Sequence, residues 1–299
     1  MEKVIIVGAG PAGISAALYA VRGNLDPLVI NNGIGALEKA EKIENYYGLS
    51  NPLTGKELFD TGMNQAKALG VRILDAQVLG VEGFDSFVVK TTEGEFETRS
   101  LILATGSRRA SPKIPGIKEF EGKGVSYCAV CDAFFYRGKD VAVLGNGDFA
   151  LHEAEELSNT AASVTIYTDG KEPEFSGKPA MTVNTMKIQS IEGDNKVSGI
   201  RLEGDIQTQE ADDGEKLFYP TDGVFVALGT AGSAEIARQM GAELDEKGNI
   251  KVNENMETTI PGLYGAGDCT GGLLQVAKAV YEGAQAAIHA GKYVRSIRE

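Results

Sequence analysis

The chain has 299 residues, room for two domains of ordinary size, and its 42% hydrophobic and 24% charged residues are those of a folded globular protein rather than a disordered or collagen-like one. With 42 acidic against 29 basic residues it carries a formal charge of -13, which argues against nucleic acid or an anionic membrane as partner. Three cysteines are too few for a disulfide scaffold, and 38 glycines imply many positions of free or closely approached backbone.

In chain order, Lys3-Val-Ile-Ile-Val7 is a run of apolar β-branched residues, the pattern of a parallel strand buried on both faces. Gly8-Ala-Gly10-Pro-Ala-Gly13 follows, then an Ala/Leu-rich helix over Ile14 to Arg22 and a strand over Leu25 to Ile30. Strand, glycine turn, helix and strand in roughly 30 residues is the setting in which such a turn holds a pyrophosphate at a helix N-terminus. The uncharged stretch Val4 to Val21 is read as neither signal peptide nor membrane span. Met1-Glu2-Lys3 has no net positive charge, and Gly8, Gly10, Pro11 and Gly13 break the apolar run. The expected location is cytoplasmic.

Leu101-Ile-Leu-Ala104-Thr105-Gly106 reads as a buried strand ending in a small-residue turn. Tyr127-Cys128-Ala-Val-Cys131-Asp132 then precedes a second copy of the opening pattern. That copy has a strand over Asp140 to Leu144, a Gly145-Asn-Gly147-Asp-Phe-Ala150 turn, a helix over Leu151 to Leu157 and a strand over Val164 to Tyr167. The next strand begins near Met181. Near the end, Ile260-Pro-Gly-Leu-Tyr-Gly-Ala-Gly267-Asp268 leads a strand into a carboxylate, and Leu273 to Ala290 is a long Ala/Gly-rich helix. Asp268 is there either as a helix cap or to bond a cofactor hydroxyl. Two copies of the glycine pattern indicate two α/β, Rossmann-like three-layer domains of the dinucleotide-binding type.

A C-x-x-C pair on a turn entering a helix is suited to thiol–disulfide exchange, because that placement lowers the thiol pKa and the thiolate is the reactive form. The alternatives are half of a zinc site or two unrelated core thiols. No second C-x-x-C exists and the histidines are His152 and His289, so a zinc site would need Cys269 or carboxylates; no metal is expected.

These pieces, in this order, resemble the flavin-dependent pyridine-nucleotide–disulfide oxidoreductases and within them the low-molecular-weight thioredoxin reductases. The resemblance implies an FAD domain of 1–113 and 244–299, with a nicotinamide-type domain of 114–243 inserted into it and carrying the C-x-x-C. It implies that FAD is held by Gly8, Gly10, Pro11, Ala12 and Gly13, by Asn31 and Asn45 (the latter in Ile43-Glu-Asn45), and by Ala104, Thr105 and Gly106. Gly267 and Asp268 join them, Leu274, Gln275 and Val276 approach the flavin ring, and Val78 contacts the adenine through its backbone. Cys131 would face the flavin, Cys128 would be the exposed nucleophile toward thioredoxin, and Asp132 would be the acid for the leaving thiolate, unless it is simply a helix N-terminal carboxylate. Cys269 is expected to be a small buried hydrophobe. The family also implies a homodimer and an insert that swings on linkers near Lys113 to Gly116 and Gly241 to Gly248.

The second copy departs from the family. After Tyr167 the chain reads Thr168-Asp169-Gly170, without the arginines that grip the 2′-phosphate of NADPH. Asp169 to Ala180, with Pro173, Pro179, Gly170 and Gly177, is expected to be a loop where a crossover helix belongs. Phe149 is expected to block the pyrophosphate, and Leu228-Gly-Thr-Ala-Gly232 departs from the usual turn. In these losses the chain resembles the clostridial ferredoxin-dependent flavin thioredoxin reductases. The leading expectation is therefore a thioredoxin reductase fed by ferredoxin through FAD, with Arg108, Arg109 and Lys113 as candidate docking cations. The alternatives are an NADPH- or NADH-dependent thioredoxin reductase with a remodelled pocket, and a flavin-bound redox sensor without turnover.

Overall fold

The computed structural model describes residues 1–83, 85–106, 112–203, 217–229 and 232–297, without the side chains of Val130 and Cys131. The chain forms two compact units: Met1–Arg109 with Gly232–Glu299, and between them Ala110–Ala231.

In the first unit β1 (Ile5–Val7) is buried throughout, and helix α1 (Pro11–Arg22) follows the glycine turn. Strand β2 (Leu28–Asn31) runs parallel to β1 with Ile5 opposite Leu28. Helix α2 (Gly55–Ala68) starts at a capping box: Glu57 N donates to Thr54 Oγ1 at 3.2 Å, and Thr54 N donates to Glu57 Oε2 at 2.7 Å. Strand β3 (Arg72–Asp75) pairs with β2. An antiparallel meander of β4 (Val78–Glu82), β5 (Phe87–Thr91) and β6 (Gly94–Thr98) precedes β7 (Leu101–Leu103), which returns beside β1.

The second unit opens with β8 (Val125–Ser126) and the short helix α3 (Ala129–Asp132). Strand β9 (Asp140–Leu144), helix α4 (Asp148–Ser158) and strand β10 (Ser163–Tyr167) form its βαβ element. Strand β11 (Thr182–Asn184) pairs with β10. The segment Asp169 to Ala180 between them contains no helix, as its prolines and glycines predict. A meander of β12 (Ile188–Gly193), β13 (Val197–Leu202) and β14 (Phe218–Pro220) packs Ile188, Ile191 and Ile200 into one core with Ala142, Leu144 and Val224. Strand β15 (Gly223–Val226) completes a parallel sheet of order β11-β10-β9-β15-β8.

The chain returns to the first unit through α5 (Ser233–Gln239), β16 (Leu263–Gly265) and α6 (Val276–Ser296). The parallel sheet there has the order β16-β7-β1-β2-β3, and α1 and α6 share one core with its Ile6, Val29 and Ile102. Helix α6 begins after Leu274, because Gln275 is an extended N-cap (φ -140°, ψ 149°). The two helices meet through alanines, and a Cβ on Gly283 would strike Ala12 O, so only glycine permits the approach. Among the described residues no helix is long and apolar enough to cross a membrane.

Candidate functional site

The first glycine turn is built by exclusion. Gly8 has φ +107° and a Cβ there would strike Ala104 O, while one on Gly13 would strike Gly8 O. A Cβ on Gly10, by contrast, meets nothing within 4 Å. Gly10 is the N-cap of α1 without any side-chain cap, and Pro11 has no N–H, so the amides of the first turn face open space. That is an anion cradle. Beside it, Asn31 ends β2 with 9% exposure; its Nδ2 donates to Asp75 Oδ1 at 2.7 Å, and its Oδ1 has no partner among the described residues. A buried acceptor left open at this strand end suits a ribose hydroxyl. The residues present therefore fit a dinucleotide cofactor.

Other expected cofactor residues fall in the same unit. Asn45 Nδ2 donates to Gln275 Oε1 at 3.1 Å, joining two segments 230 residues apart. Leu274 beside them is 54% exposed, an apolar side chain in solvent. Val276 is the first residue of α6. Thr105 is used internally: its N donates to Ser233 Oγ at 3.0 Å, and Ser233 N donates to its Oγ1 at 2.9 Å. Gly106 has φ +84°. Val78 is buried at the start of β4, paired with Thr91.

Gly267 N donates to Glu282 Oε2 at 2.8 Å, and Lys278 Nζ donates to Gly267 O at 2.9 Å and pairs with Glu282 at 3.0 Å. This buried pair fixes the turn that presents Asp268. Burial raises the Asp268 carboxyl, opposed by Lys278 and aided by Glu282. Cys269 is a buried free thiol, pushed up to about 12 by burial, with Sγ against Ala266 O and Leu103 O. It is a core residue, as expected.

In the second unit Cys128 is disulfide-bonded and 2% exposed. The side chain of Cys131, on α3, lies outside the described residues. Cys128 N donates to Ser126 Oγ at 3.2 Å, and that hydroxyl donates to Asp132 Oδ2 at 2.6 Å, so one serine ties the start of the cysteine turn to the carboxylate at its end. Ala129 N donates to Glu153 Oε2 on α4 at 2.7 Å. Sequence reasoning missed Glu153, and it also missed Phe134 and Phe135. These are 70% and 67% exposed just past the pair, with Arg137 over the Phe134 ring at 5.6 Å. The signal for the aromatics was there, in three consecutive rings at 134–136.

The second glycine turn is covered by the chain itself. Glu174 N donates to Asn146 O at 2.7 Å and Asn146 Nδ2 donates to Glu172 O at 3.1 Å. Glu174 forms a parallel bridge with Gly147. Ser176 donates from N and Oγ to Asp148 Oδ1, at 2.7 and 2.9 Å. The expectation for Phe149 needs correction: its ring is 2% exposed, packed inward because the residue faces the core side of α4. The segment 172–176 meets the turn instead. Asp169 also turns inward, its Oδ1 accepting from Ile188 N at 2.9 Å. Arg108, Arg109, Thr230 and Ala231 lie outside the described residues, and Lys113 is exposed.

The family model of the pyridine nucleotide-disulphide oxidoreductases matches residues 2–291. A thioredoxin reductase from Bacillus subtilis is 35% identical over 305 residues, covering 99% of this chain and 96% of its own. Among solved structures, the atypical thioredoxin reductase TRi from Desulfovibrio vulgaris Hildenborough superposes with a TM-score of 0.90 at 37% identity, over 100% of this chain and 99% of that one. A ferredoxin-flavin thioredoxin reductase from Clostridium acetobutylicum gives 0.70 at 32% identity, over 98% of each. The chain belongs to the pyridine nucleotide-disulphide oxidoreductases, in their low-molecular-weight thioredoxin reductase branch of FAD-containing oxidoreductases acting on disulfides.

Proposed function

We propose that this flavoprotein reduces thioredoxin through a Cys128–Cys131 disulfide and takes its electrons from reduced ferredoxin. The observation that carries the choice of donor is the segment 172–176 seated on the second glycine turn. The segment sits against the turn through Asn146 O, Asn146 Nδ2 and Asp148 Oδ1, and it brings the acidic residues Glu172 and Glu174 to a turn where phosphates would need room and cations. Bound FAD supplies the conversion of single electrons into the pair that one disulfide requires.

The chain's own groups supply the rest. The Gly8–Gly13 cradle and Asn31 bind the cofactor's adenosine diphosphate half, and the Asn45–Gln275 bond and Leu274 bound the space at the start of α6. Asp132, oriented by Ser126, holds a proton position at the cysteine helix. Cys128 is buried, so its attack on a protein disulfide needs it uncovered first; Phe134 and Phe135 offer the incoming protein an apolar seat beside the pair. Cytoplasmic location and a homodimer complete this reading.

A second reading is a nicotinamide-dependent thioredoxin reductase. It is favoured by the retained strand–turn–helix frame of β9 and α4, and by relatives such as the Bacillus subtilis enzyme, called simply thioredoxin reductase. One anaerobic titration decides. Reduced ferredoxin is expected to bleach the flavin absorbance fully at four electrons per FAD, two of which pass on to the Cys128 disulfide, while NADPH and NADH at millimolar concentration leave it oxidised. Rapid bleaching by two equivalents of either nucleotide selects the second reading.

A further inference from the structure

We propose that Glu153 is a positioning residue for the cysteine pair: a buried carboxyl that holds the first amide of the cysteine helix and takes up a proton when the Cys128 disulfide is reduced. This rests on the reading of Cys128 and Cys131 as the redox pair.

Glu153 is 1% exposed, on the face of α4 that carries Ala150, Ala154 and Leu157 inward. Acidic side chains are almost never buried this far unless paired, and no Lys or Arg pairs with this one among the described residues. Its Oε2 accepts from Ala129 N, the amide directly after Cys128, and its Oε1 has no partner among the described residues. A glutamine would hold the same amide without the cost of burying an ionisable group. What a carboxyl adds over glutamine is the ability to change its charge during turnover.

The surroundings allow that change. Burial pushes the Glu153 carboxyl up to about 7; the Ala129 amide opposes this and the like charge of Glu156, further along α4, adds to it. The other ionisable groups on the elements packed here are Asp148, His152 and Glu155 on α4, Cys131 and Asp132 on α3, and Asp140 and Tyr167 at the ends of β9 and β10. None of these is a lysine or an arginine. Near neutral pH the carboxyl is therefore poised between its two forms.

The electron count is simple. The family's activity delivers two electrons, which break the S–S bond and leave two sulfurs with two negative charges between them. One proton from solvent makes one sulfur a thiol. The other sulfur stays a thiolate, and its charge draws a second proton from solvent onto Glu153, ionised before the reduction. The site then carries one negative charge, as it did before reduction, and Ala129 N is held by a neutral carboxyl instead of a carboxylate. When the pair is reoxidised by a partner disulfide, both protons leave. Titrations linked in this way share two apparent steps.

The test uses the full-length, FAD-loaded protein, reduced and then alkylated with iodoacetamide at a series of pH values, with modification of Cys128 followed by mass spectrometry. The wild type is expected to titrate in two steps, and Glu153→Gln in one, its thiol alkylated up to about tenfold faster near pH 8 because a like charge is gone. The reduced-minus-oxidised infrared spectrum of the wild type at pH 7 is expected to gain a protonated carboxyl band that Glu153→Gln lacks. Should the variant fail to fold, the wild-type measurements still decide: a single-step titration and no such band overturn the proposal. Cys128→Ser separates the two ideas. If it still reduces thioredoxin, the assignment of the redox pair fails; if it is inactive while the wild type titrates in one step, only the role of Glu153 fails.

Discussion

A single buried carboxyl gives the protein a pH dependence that a count of its 42 acidic residues would not suggest. Most of those carboxylates lie exposed at the surface. Glu153 does not, and folding raises it from 4.5 to about 7. Its neutral form therefore favours the fold fully below pH about 4.5, and this contribution is lost as pH rises to about 7, up to roughly 3 kcal/mol at 1.36 kcal/mol per pH unit. Glutamine keeps an acceptor for Ala129 N and cannot ionise. Urea unfolding at pH 5 and pH 8 is expected to show Glu153→Gln gaining stability over the wild type as the pH rises. A gap of constant size at both pH values would mean that Glu153 is not neutralised by burial.

Helix packing and the proposed FAD cradle share one element, α1, and two glycines separate the two duties. A methyl group at Gly283 of α6 collides with Ala12 O, the backbone of the fingerprint itself, whereas one at Gly10 enters empty space. Gly283→Ala is expected to lower stability by about 1–3 kcal/mol through overpacking, and to weaken FAD binding by displacing Ala12. Gly10→Ala is expected to leave the apoprotein melting temperature nearly unchanged and yet to reduce FAD retention on gel filtration. Equal loss of melting temperature in the two variants would refute this division. These elements were legible because both periods were clean: β1 and β9 are unbroken apolar runs, and α1 and α6 are alanine-rich between glycine signals. Helix α2 and the meander β4–β6 passed unread. Helix α2 and β6 are largely polar, and β4 and β5 are short apolar runs without a glycine motif beside them, although Thr54 with Glu57 is a capping box visible in the sequence. The loss of a helix after β10 could be read from two prolines and two glycines, but not where the resulting loop would lie. Its bonds to Asn146 and Asp148 join residues 26 to 28 apart, and local sequence carries no record of such a contact. Glu153 was missed for the same reason, since its partner Ala129 lies 24 residues away.

At the scale of the whole molecule, the formal charge of -13 bears on how any protein donor arrives. Ferredoxins are typically acidic, so encounter is opposed at long range by the net field of both proteins. Over a Debye length of about 10 Å at 0.1 M salt, that opposition is largely screened. The anaerobic rate of flavin reduction by an acidic ferredoxin is therefore expected to rise as salt increases from about 0.01 to 0.1 M, the reverse of the usual behaviour of steered pairs. Reduction of thioredoxin, which would be guided by Phe134 and Phe135, should respond less, because an apolar seat carries no charge of its own. If the ferredoxin rate instead falls steeply over that range, a local cationic patch outweighs the net charge. Exposed Lys113, or Arg137 and Lys139 beside the aromatic pair, would then be the groups to neutralise first.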